Sequence, residues 1–126
     1  CCGSGDKVRL LYACSGAANT GLLADSVSRR LAKLGIGRMT CLAAVGAELS
    51  GYVESARAAG ENFLIDGCPV SCGRKIFERL GIPFRQFLMT DYGVQKGKTD
   101  ITPELIGKTA VTMMEELAGE RDHAAL

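Results

Sequence analysis

Four times along this chain a short apolar run gives way to a helical pattern that ends in a glycine, and that alternation leaves few folds open. The first run, Val8 to Ala13, leads to a helix opened by Thr20, with Leu23, Val27, Leu31 and Leu34 on one face and Gly35 as its stop. The second unit has a strand from about Gly37 to Cys41, a loop of small residues, and a helix from about Ser50 to Ala59 stopped by Gly60. The third runs from Asn62 to Asp66, turns, and enters a helix that ends at Leu80, with Gly81 and Pro83 as punctuation and Ile76, Phe77 and Leu80 facing the core. The fourth, Arg85 to Thr90, is followed by a polar loop, Asp91 to Ile101, and then by a helix with Thr102 as N-cap and Pro103 at its first position. Ile106, Ala110, Met113 and Leu117 form its apolar stripe. Residues 1–6 and 119–126 read as flexible tails of a single domain spanning 1–126.

Units of this length close a sheet only if the strands are parallel and helices cover both faces with right-handed crossovers. The expected fold is a small, doubly wound α/β/α sandwich of about four parallel strands, Rossmann-like or flavodoxin-like. A chain of 126 residues suits one such domain and buries roughly two-thirds of its unfolded surface. In folds of this kind ligands collect at the carboxyl ends of the strands.

The cysteines fall at that edge. Cys14 ends the first strand, Cys41 lies late in the second, Cys68 ends the third, and Cys72 is one turn into the next helix. Two thiols four residues apart at a helix start share a face, and the partial positive charge of a helix N-terminus favours the thiolate form that binds metals or attacks electrophiles. Zinc and similar soft ions take four tetrahedral ligands, which four thiolates from separate turns can supply; an iron–sulfur cluster is the inorganic alternative. Taken singly, Cys14 and Cys41 read equally well as small buried hydrophobes. Six cysteines in a chain with a good apolar core fit metal or redox chemistry in the cytoplasm better than a secreted disulfide framework. Cys1, with no Met before it, also fits an acylated lipoprotein cysteine, although the other thiols argue against export. Cys1 and Cys2, ahead of Gly3-Ser4-Gly5, form a flexible thiol pair able to deliver metal or resolve a disulfide.

Composition removes other classes. Lys and Arg number 15 against 14 Asp and Glu, with no Trp, so nothing points to nucleic acid, and no apolar run approaches the ~20 residues of a membrane span.

The run Tyr12-Ala13-Cys14-Ser15-Gly16-Ala17-Ala18-Asn19-Thr20-Gly21, then Cys41-Leu42-Ala43, then Asp66-Gly67-Cys68-Pro69 with Cys72, and Gly93-Val94-Gln95-Lys96 together resemble the DGC family, which is named for its Asp-Gly-Cys motif. The resemblance covers about Val8 to Lys98. It implies a zinc-binding protein with four chelating cysteines and no established role, and carried over residue by residue it implies Cys14, Cys41, Cys68 and Cys72 as ligands of one metal ion. Asp66 reads as a ligand, a base, a partner to the turn, or simply a turn former before Gly67.

The same turn supports a rival, a thiol enzyme, because Cys68 to Arg74 also fits Cys-x5-Arg at a strand-to-helix turn, as in thiol phosphatases and some arsenate reductases. That chemistry needs backbone N–H groups and an arginine to cradle an oxyanion while the thiolate attacks. Pro69 removes one N–H, Lys75 replaces the usual Ser or Thr, and Asp91 is the nearest substitute for a missing general acid. In a redox version Cys68 attacks and Cys72 resolves. The small-residue turn from Ser15 to Gly21 lacks both nucleotide-binding glycine patterns and reads as close packing around Cys14. His123, the single histidine, reads as solvated, and Met39, Met89, Met113 and Met114 read as core filler. Lys96 and Lys98 either bind an anion near the strand ends or belong to a solvated loop. The leading expectation is a cytoplasmic zinc-binding domain of unknown role, leaning away from an enzyme, with protein partners undefined.

Overall fold

In the computed structural model the backbone is described for residues 8–125 and the side chains for residues 8–120; Cys1, Cys2 and the side chain of His123 lie outside the described residues. Four parallel strands, β1 (Arg9–Ala13), β2 (Arg38–Met39), β3 (Glu61–Asp66) and β4 (Arg85–Leu88), form one sheet in the order β2-β1-β3-β4. The helices are α1 (Asn19–Lys33), α2 (Leu42–Gly46), α3 (Ser50–Ala58), α4 (Cys72–Leu80) and α5 (Pro103–Ala125), with a 3-10 turn at Met89–Tyr92. The expected doubly wound α/β/α sandwich is the fold.

Strand alternation sends residues to two cores. Leu11, Phe63, Ile65 and Phe87 face α1 and α5, where Leu23, Val27, Leu31, Ala110 and Met113 meet them. Leu10, Tyr12 and Leu64 face Val45 of α2, Ala56 of α3 and Phe77 of α4. Because the chain steps from β1 outward to β2 and then back past β1 to β3, α1 lies on one face while α2, α3 and α4 lie on the other. The strand order therefore reverses between β1 and β3, which opens a crevice at their carboxyl ends.

Several boundaries differ from the sequence reading, each for a physical reason. β2 is only two residues long, and the small residues after it form α2 rather than a loop, with Ala44 and Val45 buried. α1 starts one residue before Thr20 with Ala18 at its N-cap, and Leu34, expected on the buried face, is 53% exposed as the C-cap. β4 stops at Leu88 and tightens into the 3-10 turn. α5 does not stop at Gly119 but continues to Ala125, so the segment read as a tail is helical through Ala125. Gly35 and Gly81 hold the left-handed conformation after α1 and α4, as expected of helix stops, and Thr102 Oγ1 accepts the Leu105 N–H at 3.1 Å as the N-cap of α5.

Candidate functional site

β3 delivers Asp66 to its last position, 1% exposed, and the carboxylate is fully engaged there. Oδ1 accepts the Gly73 N–H at 2.9 Å, while Oδ2 accepts the Arg74 N–H at 3.1 Å and Gln86 Nε2 at 2.8 Å. Asp66 thus caps α4 from the preceding strand, placing a negative charge against the positive end of the helix. The same Gln86 amide donates to Ser71 Oγ at 2.9 Å, and Ser71 stands in the left-handed conformation at φ 55°. A non-glycine residue held there is strained and needs its surroundings to keep it in place. Asp66, Gln86 and Ser71 therefore fix the shape of the turn that carries Cys68 and Cys72.

Two glycines make this turn possible. A Cβ on Gly67 would lie 2.8 Å from the Thr20 backbone, so only glycine lets the turn rest on the start of α1. A Cβ on Gly73 would lie 2.9 Å from Asp66 Oδ1, so only glycine lets the carboxylate reach the α4 backbone. Gly21 approaches the Gly16 backbone in the same way, which bears out close packing as the purpose of the small residues after β1.

Cys14 follows β1, donates its backbone N–H to the Ile65 carbonyl at 2.9 Å, and packs half-buried against the α1/α5 core. Cys68 is half-buried in the turn after β3. Cys72 is the first residue of α4 rather than one turn into it, and it is exposed; Cys41, beyond the end of β2, is the exposed N-cap of α2. All four thiols are free and lie at the carboxyl edge of three neighbouring strands. Among the described residues, however, no three Cys, His, Asp or Glu side chains stand together as a ready metal cage. The donor set suits a soft ion, but its present arrangement does not.

The residue that does meet a candidate thiol is Lys96, whose Nζ donates to Cys68 Sγ at 3.4 Å. Its loop is tied down by Asn19 at the start of α1: Asn19 Nδ2 donates to the carbonyls of Gln95 (3.1 Å) and Thr99 (2.8 Å), and Asn19 Oδ1 accepts the Gly97 N–H at 2.7 Å. Sequence reasoning named Lys96 as an anion-binding or solvated residue and gave no role to Asn19 or Gln86. The only sequence sign of Gln86 is its place beside Arg85 and ahead of the apolar pair Phe87-Leu88 in a short strand.

The oxyanion cradle fares worse. The N–H groups of Gly73 and Arg74 already go to Asp66, and the Arg74 guanidinium pairs with Glu78 at 3.1 Å on the helix surface. The start of α4 thus holds an internal carboxylate where a phosphatase-type loop would hold its substrate. Burial pushes the Tyr12 phenol up, and burial together with the hydrogen bond to Glu116 does the same to Tyr92. A cleft of about 280 Å³ lined by Asn62, Phe63, Pro83 and Phe84 opens at the amino end of β3 and β4, opposite the cysteines.

No solved structure matches the chain. The anaerobic and virulence modulator AnvM of Pseudomonas aeruginosa is 32% identical over 92 residues, which span 72% of this chain and 70% of that protein. The DGC domain family matches residues 10–113, a stretch that holds the Asp66-Gly67-Cys68 turn and all four edge cysteines, and the chain belongs to that family.

Proposed function

We propose that this protein is a reactive-thiol protein of the cytoplasm, in which Cys68 is the nucleophile toward soft electrophiles such as peroxides and disulfides. The observation that carries the reading is the Lys96 ammonium at 3.4 Å from Cys68 Sγ, a counter-charge for a thiolate on a turn that other residues hold rigid. The relative is named a modulator, which supports a regulatory role for the thiol over turnover of a metabolite. The test is the rate of iodoacetamide labelling, read at each cysteine by peptide mass. Cys68 is expected to label first, and Lys96→Ala to slow it about threefold to tenfold with the other cysteines unchanged. Equal, slow labelling of all cysteines in metal-free protein sinks the reading.

A second reading is favoured by the placement of Cys14, Cys41, Cys68 and Cys72 at one edge of three adjacent strands: the four thiolates close on one zinc ion, or on an iron–sulfur cluster, when the turns move together. Zinc there would supply cross-links between elements distant in sequence, and Asp66, with both oxygens engaged, stays out of the ligand set. Metal counted per chain in protein purified without oxygen tests it. Stoichiometric zinc that is lost in both Cys14→Ser and Cys41→Ser supports this reading, and full occupancy in both variants removes it.

A further inference from the structure

We propose that Lys96 is the group that captures Cys68 after oxidation, so that the pair forms a reversible sulfenamide bond joining the β3–α4 turn to the loop of residues 93–99. The inference rests on the reactive-thiol reading above and adds the identity of the resolving nucleophile. An oxidised cysteine sulphur is attacked by the nucleophile that stands beside it, a second thiol or a nitrogen. Here the nitrogen stands beside it: Lys96 Nζ is 3.4 Å from Cys68 Sγ. The contact is built from both sides. Three hydrogen bonds from Asn19 and one from the Gln95 N–H to Thr99 Oγ1 at 2.8 Å hold the lysine loop, and Gln86 with Asp66 holds the cysteine turn. No hydrogen bond links Cys68 to another edge thiol among the described residues. Cys14 packs into the α1/α5 core, while Cys41 and Cys72 sit exposed at the starts of α2 and α4.

The chemistry balances with a peroxide as oxidant and a small thiol as reductant. The Cys68 thiolate attacks one peroxide oxygen, the O–O bond breaks, and the second oxygen leaves as water or an alcohol after taking a proton. Sulphur has then lost two electrons to the peroxide and carries a hydroxyl group. Lys96, having given up a proton, attacks that sulphur; the S–N bond forms, the S–O bond breaks, and the departing oxygen leaves as water with a proton from the nitrogen. One small thiol then attacks the sulphur and frees the amine, and a second frees Cys68 and leaves as the small disulfide. The cross-link removes both charges of the pair and withdraws Cys68 from metal binding.

The test uses a variant in which Cys1, Cys2, Cys14, Cys41 and Cys72 are each changed to serine, so that Cys68 is the one thiol present, treated with a stoichiometric amount of hydrogen peroxide and read by intact mass. The expected product has lost two hydrogens from the reduced mass, returns to it with dithiothreitol, and yields a linked peptide pair containing Cys68 and Lys96. If the serine variant does not fold, the wild-type chain is oxidised, its free thiols are blocked, and the same linked peptides are sought. Lys96→Arg keeps the charge without an amine able to condense, and is expected to stop at the gain of one oxygen. A stable gained oxygen on Cys68 with Lys96 intact, no linked peptides from the wild-type chain, or loss of two hydrogens in Lys96→Arg overturns the cross-link and leaves the reactive thiol standing. Cys68 that takes up nothing from a peroxide that oxidises free cysteine overturns both.

Discussion

Three donors converge on the two oxygens of Asp66, and of the three only Gln86, which also donates to Ser71 Oγ, keeps an acceptor if that side chain is lost. Asp66→Ala orphans the Gly73 and Arg74 N–H groups at the start of α4 and frees Gln86 from half of its clamp. The expected cost is about 3 kcal/mol in urea unfolding, since each buried charge-assisted hydrogen bond is worth roughly 1.5–3 kcal/mol and water repairs part of the loss. The loss should be equal with and without a chelator, because the carboxylate acts on the helix and not on a metal; a cost that disappears in chelator would return Asp66 to the ligand set. Among the options open in the sequence, a partner to the turn is the role the geometry gives this residue. What the sequence did not disclose is why glycine occupies position 73, because the carboxylate it makes room for lies seven residues back. Periodicity reports which face a residue takes and is silent on a hydrogen bond thrown from a strand end to the next helix. The four cysteines could be assigned to one edge for the opposite reason: the alternation of strand and helix is legible even where exact ends are not, and each of the four falls at a strand-to-helix junction.

At the level of elements, the long amphipathic segments were legible and the short ones were not. Leu23, Val27 and Leu31 are wholly buried on α1, and Ala110 and Met113 on α5, because a stripe at helical spacing has only one way to reach the core. α2 escaped notice because five residues of Leu, Ala, Val and Gly make too short a stripe, and β2 was overextended because its backbone pairs with β1 at just two positions. Gly119 did not end α5 because glycine weakens a helix by about 1 kcal/mol without forbidding it. The loop of residues 93–99 looked like an ordinary solvated connection, yet Asn19 gives it three hydrogen bonds across the molecule. Asn19→Ala is therefore expected to speed hydrogen exchange at the Gly97 N–H by about tenfold, equivalent to losing roughly 1.4 kcal/mol of local protection. It should also lower Cys68 labelling to the level of Lys96→Ala, since the lysine would no longer be held at the sulphur. Unchanged labelling would mean that Lys96 reaches Cys68 without the Asn19 tether.

Across the whole molecule, the reversal of strand order places the cysteines at one end of the sheet and a separate polar network at the other. Tyr12 of β1 donates to Asn62 Oδ1 at 2.7 Å, and Asn62 Nδ2 donates to the Ala56 carbonyl at 2.8 Å and the Pro83 carbonyl at 3.2 Å, so one buried side chain ties β1 and β3 to the end of α3 and the approach to β4. The network works only while Tyr12 keeps its proton. Burial pushes that phenol up from its ordinary value of about 10, and Tyr92 is raised as well by burial and Glu116, although its partial exposure weakens its share. In both cases the unfolded chain releases the proton at lower pH than the folded one. Stability is then intact below about pH 10 and falls as pH rises beyond it, by at most about 1.4 kcal/mol per unit for each phenol. Tyr12→Phe removes one of those protons and the donor to Asn62, so near neutral pH the variant should be about 1–2 kcal/mol less stable than the parent. The gap should narrow as pH climbs past 10, because only the parent gains unfolded-state stabilisation by ionising at that position. Urea unfolding of both proteins across the alkaline range measures it. A gap that stays constant would mean the phenol titrates alike in the folded and unfolded chains, and that the network is held by packing around the ring rather than by its proton.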